Sequence, residues 1–309
     1  MTYKVLIFGT DDLYDKLKPF YDAQIQRGNL EIVAYAVFDD DIVSLFDAEQ
    51  RGVELDSTPE FHLAIISSHK NFYRRMKLLE AQNLPRNKII DGRALKIPDL
   101  DFKRLVDEGI AYGSLNKKYF GDMTHALCPR ILSDGTSTVE IGSKSYLASA
   151  ALEGSGFVSV GKFCSVAVNT LFNMWPTVDH NYRNVSSYAL TRIDWDVPEK
   201  FFLPNGTRQI NIGNDVWIGR GCVFKATTSD KPLTVGDGAV IASDSVIVKN
   251  VPPYAIVGGN PAKIIKFRFA EDVIEAFLRI KWWNWSLDKI HDNFRYFNDI
   301  DKFISIHDV

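Results

Sequence analysis

Cysteine is scarce. Three residues, at 128, 164 and 222 of a 309-residue chain, are an odd number with no metal-type spacing. That excludes a disulfide framework and fits a reducing compartment. Long apolar runs are absent too: none approaches the ~18 residues that span a bilayer. The start, MTYKVLIFGTDDLYDKL, enters a strand-like segment rather than a signal peptide, so a cytoplasmic location is expected. Charge of neither sign dominates, and a net charge of −3 gives no electrostatic reason to expect nucleic acid or an anionic membrane as partner. No G-x-G-x-x-G is present. What remains is an ordinary globular chain, 46% hydrophobic and long enough for two domains.

The first 110 residues alternate. YKVLIFG (3–9) is followed by a segment with Leu13, Leu17 and Phe20 at helical spacing, then by EIVAYAVFD, FHLAIISS, a helix-like KNFYRRMKLLEAQNL and NKIID. Strands alternating with helices predict a Rossmann-like α/β domain with a small parallel sheet over 1–110. A connector rich in Gly, Asn and Lys follows over 111–138.

From about residue 139 the rhythm becomes six. IGSKSY, LASAAL, VGKFCS, IGNDVW, IGRGCV, VGDGAV and IASDSV each begin with an aliphatic residue and place Gly or Ala second. Their fifth residues are small or β-branched. Period six is neither 3.6 nor 2. A coil that turns a corner after every short strand explains it: three hexads make a triangular turn, the first residue points inward, and the fifth must be small near the corner. Stacked turns satisfy one another's backbone groups at the sheet spacing of ~4.8 Å. Cys164 and Cys222 occupy fifth positions, which makes them buried structural residues and poor nucleophiles.

Over 139–295 the chain resembles the hexapeptide-repeat acyltransferases with a left-handed parallel β-helix, and within them the xenobiotic acetyltransferase branch that modifies streptogramins and chloramphenicol. VGKFCSVA, INIGNDVWIGRGCVF, VGDGAVIASDSVIVKNVPPYAIVGGNPAKIIKFRF and KWWNWSLDKI carry the likeness. It implies an all-β left-handed β-helix domain over 139–268, a homotrimer, coenzyme A in the groove between adjacent prisms, and a loop histidine as general base at the subunit boundary. The α/β domain in front resembles instead that of the sugar N-acyltransferases, where it helps hold the nucleotide of a nucleotide-linked amino sugar. The two likenesses point to different acceptors: the amine of such a sugar, or a hydroxyl of an antibiotic or polysaccharide.

The hexads are interrupted by an excursion, 173–209, far longer than the ~4–6 residues of an ordinary connection. Long loops on rigid scaffolds tend to carry function. This one holds DHN, placing His180 between Asp179 and Asn181, either of which can orient its ring. Acyl transfer from an activated thioester needs no covalent nucleophile, and an imidazole with a pKa near ~6.5 is a suitable base near neutrality. Asn173, also within the family tract, either binds substrate or braces the loop. A metal site is not expected, since among six histidines only His180 lies within the repeats.

VGGNPAKIIKFRF is the cofactor candidate. Gly258 and Gly259 permit close backbone approach, Pro261 fixes the turn, and Lys263 offers a charge to a phosphate of coenzyme A. The resemblance adds Trp217, Ala242 and Ser243 along the pantetheine channel, with Lys249 nearby. In the α/β domain, ligands are expected at the carboxyl ends of the strands, where Thr10, Asp39, Asp40 and Ser67 lie. The two leading carboxylates of TDDLYD, Asp11 and Asp12, disfavour a pyrophosphate at that helix start. Residues 269–309 contain two amphipathic helix candidates, the second with Ser286 as N-cap, expected to cover the open end of the coil.

Overall fold

The computed structural model describes residues 2–10, 12–39, 42–48, 59–67, 72–81, 83–97, 99–122, 128–175, 185, 186, 188, 208–226 and 231–308. The chain divides into two compact units, Met1–Ser114 with Thr124–Leu132, and Leu115–Met123 with Ser133–Val309.

In the first unit, β1 (Tyr3–Phe8), α1 (Asp12–Gln26), β2 (Leu30–Asp39), β3 (Ile42–Asp47), β4 (Leu63–Ile66), α2 (Phe72–Ala81) and β5 (Ile89–Asp91) follow in order. The sheet order is β3-β2-β1-β4-β5. β2, β1, β4 and β5 are parallel, as the alternating pattern implies, whereas β3 runs antiparallel to β2. The sheet is therefore mixed. β1 and β4 read as unbroken apolar runs because both faces are covered: Val5 to Phe8 and Leu63 to Ile66 are at most 2% exposed. Leu13, Leu17 and Tyr21 of α1 supply part of that cover.

The second unit stacks short parallel strands in three columns. Val139, Val158, Ile210 and Leu233 lie on successive rungs of the first. Leu147, Val166, Ile218, Ile241 and Val257 lie on those of the second, and Leu152, Phe172, Phe224 and Ile247 on those of the third. The first residue of every hexad named above is at most 3% exposed. Phe172 and Phe224 stack inside with centroids 5.5 Å apart, and Phe120 continues the stack at 6.3 Å.

The corners explain the rest of the hexad. In six of the seven hexads the fourth residue turns the chain and takes left-handed backbone: Lys144, Phe163, Asp215, Gly221, Gly238 and Asp244 all have φ between 54° and 70°, whereas LASAAL runs on within the strand Tyr146–Gly154. The second residue meets the coil next door. A Cβ on Gly161 would sit 2.6 Å from the carbonyl carbon of Gly213, and one on Gly213 would sit 2.7 Å from Asp237 N. Outside LASAAL the fifth is buried because it faces inward at the corner, and a Ser or Cys there bonds backbone. Ser145 Oγ donates to Gly161 O at 2.5 Å, Cys164 Sγ to Gly213 O at 3.0 Å, and Cys222 Sγ to Ala242 O at 3.2 Å. Burial pushes the Cys164 thiol up to about 12 and raises that of Cys222. Two further hexads share this geometry, VAVNTL with Asn169 at φ 61° and VPPYAI with Tyr254 at φ 56°.

Antiparallel strands cover both ends of the second column. Phe120–Asp122, within the segment read from sequence as a connector, pairs Tyr146–Gly154. Ala262–Phe267 pairs the last rung, Ala255–Gly259. Three α-helices follow, Glu271–Ile280, Leu287–Asn293 and Ile300–His307, one more than expected. Ser286 caps the second, its Oγ accepting from Lys289 N–H at 3.2 Å. Trp282 packs on Phe163 at 4.8 Å and Trp285 stacks on Phe303 at 5.5 Å, so these rings hold the helices down.

Candidate active site

The excursion begins and ends on one corner of the coil. In the turn beneath, the third column passes to the first through Gly154, Ser155 and Gly156. One turn later Met174 ends the equivalent strand and Arg208 begins the next. A Cβ on Gly154 would lie 2.8 Å from Met174 C and 2.9 Å from Trp175 N, and one on Gly156 3.1 Å from Arg208 C. Both feet thus stand directly on glycine backbone. Gly154 also needs its φ of 84°.

Asn173 sits at the first foot. Its Oδ1 accepts from Trp175 N–H at 3.1 Å and its Nδ2 donates to Glu153 Oε2 at 3.2 Å. These bonds tie the start of the excursion to Glu153 on the turn beneath. Strand register sets Glu153, Asn173 and Lys225 side by side on three successive turns. Sequence reading missed Glu153 and Lys225, although the one-turn offset from Asn173 points to both. His180, Asp179 and Asn181 lie outside the described residues, as does Asp40.

The cofactor candidates separate into a group and two outliers. Ala242 N–H donates to Val257 O at 2.9 Å, which brings Ala242 against Gly258; a Cβ on Gly258 would be 3.1 Å from both Ala242 Cβ and Ile265 Cδ1. That packing accounts for the glycine without any ligand. Ser243 is exposed and stacks on Gly219. Gly258 pairs with Lys263 and Gly259 with Ala262 across a hairpin whose turn contains Pro261; Gly259, at φ 100°, makes the turn possible. Ala242, Ser243, Gly258, Gly259, Pro261 and Lys263 therefore share one corner, with the Lys263 side chain exposed. Trp217 is in the same column, two rungs from the hairpin, and 61% exposed. Lys249 follows Val246–Ile247 in the third column and does not join the group.

The opposite side of the second column is braced by Arg268, a residue that period six does not single out, against two fourth-position residues of the hexads. Arg268 pairs with Asp215 at 3.2 Å and donates to Gly238 O at 2.8 Å. Burial raises the Asp215 carboxyl against the pull of Arg268.

In the α/β unit, β1 is flanked by β2 and β4, and its carboxyl end presents Gly9, at φ 102°, and an exposed Thr10. Asp39 ends β2. Ser67 corrects its sequence reading: it is fully buried and its hydroxyl is hydrogen-bonded to Tyr21, so it belongs to the core and not to a ligand site.

No family model matches the chain. Among curated proteins, a probable macrolide acetyltransferase of Lysinibacillus sphaericus is 40% identical over 138 residues, 43% of this chain and 73% of that protein. The chain belongs to the xenobiotic acetyltransferase branch of the hexapeptide-repeat acyltransferases. Two other members are a chloramphenicol acetyltransferase of Agrobacterium fabrum, 38% identical over 143 residues (45% of this chain, 65% of that one), and a virginiamycin A acetyltransferase of Staphylococcus aureus, 40% identical over 134 residues (43% and 59%). The chain thus spans roughly three fifths to three quarters of these relatives' length. Among solved structures, a hexapeptide-repeat acetyltransferase of Vibrio cholerae complexed with acetyl coenzyme A is 23% identical at a TM-score of 0.31, covering 43% of this chain and 61% of that one. A Bacillus cereus N-acyltransferase complexed with dTDP and 3-hydroxybutyryl-CoA is 19% identical at 0.32, with coverages of 48% and 72%. Both likenesses are too loose to bear on this chain's chemistry.

Proposed function

We propose that the protein is an acyl-CoA-dependent acetyltransferase whose three columns form a left-handed parallel β-helix that works as a homotrimer. Membership of a family of acetyltransferases carries this reading, and the exposed Lys263 at the corner shared by Ala242, Ser243, Gly258 and Gly259 supports it. Acetyl-CoA supplies an activated thioester. Lys263 holds a phosphate of the carrier, and Trp217, Ala242 and Ser243 line its pantetheine arm. His180 Nε2 takes the proton from the acceptor as its nitrogen or oxygen attacks the thioester carbonyl carbon; Asp179 or Asn181 holds the ring. The new bond forms, the C–S bond breaks, and the proton passes from His180 to the departing sulfur. A backbone N–H receives the oxyanion.

For the acceptor, the α/β unit favours the amine of a nucleotide-linked amino sugar, the nucleotide being held at the carboxyl ends of β1 and β2 by Thr10, Asp39 and Asp40. The relatives' names favour a second reading, O-acetylation of an antibiotic. Thiol release from acetyl-CoA, measured with nucleotide-linked amino sugars beside chloramphenicol and virginiamycin, separates the two. His180→Ala lowers turnover by roughly 10²-fold or more while leaving folding intact. Near-normal turnover in the pure variant ends the assignment of the base.

A further inference from the structure

At the first foot of the excursion the scaffold holds an aromatic residue without burying it. Side chains of Thr170–Met174 alternate, with Phe172 and Met174 inside, so Trp175 continues the outward phase of Leu171 and Asn173. Its backbone is fixed from two directions. The N–H donates to Asn173 Oδ1 at 3.1 Å, and Asn173 is tied in turn to Glu153 Oε2 at 3.2 Å. The same peptide lies directly over Gly154, where a Cβ would come within 2.9 Å of Trp175 N. The side chain is nevertheless 58% exposed. Tryptophan is highly buried on average. Here the adjoining row of the column, Glu153, Asn173 and Lys225, is polar, so the packing of the coil gives no reason for an indole at this place.

Recognition supplies a reason. An indole offers a large, rigid apolar face at little conformational cost, and rings pack on it stacked or edge-on. Trp175 also follows directly on the last residue of the strand from which the excursion departs. We propose that Trp175 is the platform on which the acyl acceptor lays a ring, and that Asn173 and Glu153 are positioning residues that hold the platform still. The acceptor is thereby restricted to molecules with a flat apolar face near the reactive amine or hydroxyl, whether the ring is that of an aromatic antibiotic or of an amino sugar. The platform rests on the reading proposed above, in which the excursion carries the base.

The full-length protein is titrated with chloramphenicol and with UDP-glucosamine by calorimetry in the absence of acetyl-CoA, and thiol release is followed in parallel. At least one probe is expected to bind saturably. Trp175→Ala weakens it about tenfold and Trp175→Tyr recovers most of the loss. Where the bound probe is acetylated, its KM rises by the same factor while kcat holds, because the stack is made equally before and during the reaction. Glu153→Ala weakens binding about threefold through the lost hydrogen bond. Glu153→Gln restores it, since the amide oxygen still accepts from Asn173 Nδ2. Failure of both probes to bind, unchanged affinity in Trp175→Ala, or a loss that comes only with a changed oligomeric state in sedimentation overturns the inference. Binding that depends on Trp175 but releases no thiol overturns the acyl-transfer reading and leaves the ring platform in place.

Discussion

In the α/β unit each buried contact is a separate arrangement. Tyr21 of α1 reaches Ser67 after β4, and Asp91 at the end of β5 takes a two-pronged bond from Arg93 at 2.8 and 2.7 Å. In the coil one arrangement is repeated. Ser145, Cys164 and Cys222 each turn an inward corner and each donate to the backbone of a neighbouring turn. The contrast is between a core specified by particular partners and one specified by position within six. A substitution in the first should disturb one pair, whereas a substitution in the second should disturb every turn stacked upon it.

That contrast can be broken at four points. Phe224→Ala removes the ring on which Phe172 stacks and should cost the coil about 3–5 kcal/mol in denaturant unfolding, without moving the transition of the α/β unit. A common shift of both transitions would deny that the two cores are independent. Gly161→Ala places a methyl 2.6 Å from the Gly213 carbonyl carbon and should cost about 1–3 kcal/mol, since neither turn can yield alone. Unchanged stability would show that turn spacing is softer than the stack implies. Tyr21→Phe strands the Ser67 hydroxyl and should cost about 1 kcal/mol, confined to the α/β unit. The smallest effect concerns pH. With its thiol pushed up to about 12 from 9.0, Cys164 should resist thiol reagents in native protein at pH 8. Its linkage has a definite sign: the unfolded chain loses the proton first, so the stability tied to this group is whole below pH 9 and falls as pH rises towards 12. Rapid native labelling of Cys164, or stability rising over that window, would remove it from the interior.

Much of the coil was legible because geometry recurs, so that Gly or Ala second and a small or β-branched residue fifth announce themselves seven times over. VPPYAI escaped because Pro stands second; VAVNTL fits the pattern with Ala second and Thr fifth, and Asn169 and Tyr254 make the same left-handed turn as their counterparts. The α/β layer was legible from its alternation, but β3 was not: Asp39 and Ile42 are register partners across a return of the chain, and no turn-specific glycine marks it. Phe120–Asp122 was hidden for a similar reason, since a three-residue strand has no period to detect. At the candidate site, the hairpin around Pro261 could be read from its Gly-Gly-Asn-Pro sequence. The Arg268–Asp215 pair could not, because partners 53 residues apart share no pattern. Ser67 was misread since the end of a strand in an open sheet looks the same whether its side chain faces a crevice or the interior.

The glycines at 154 and 156 act as a socket. Wherever the chain leaves this corner and however far it travels, it must return to Arg208 at the place a three-residue bend would have reached, so the coil is indifferent to what is plugged in. Ring closure becomes dearer only slowly with length, by about 0.6 kcal/mol per doubling. New recognition surfaces can therefore be exchanged at this point while the scaffold that aims them stays as it is.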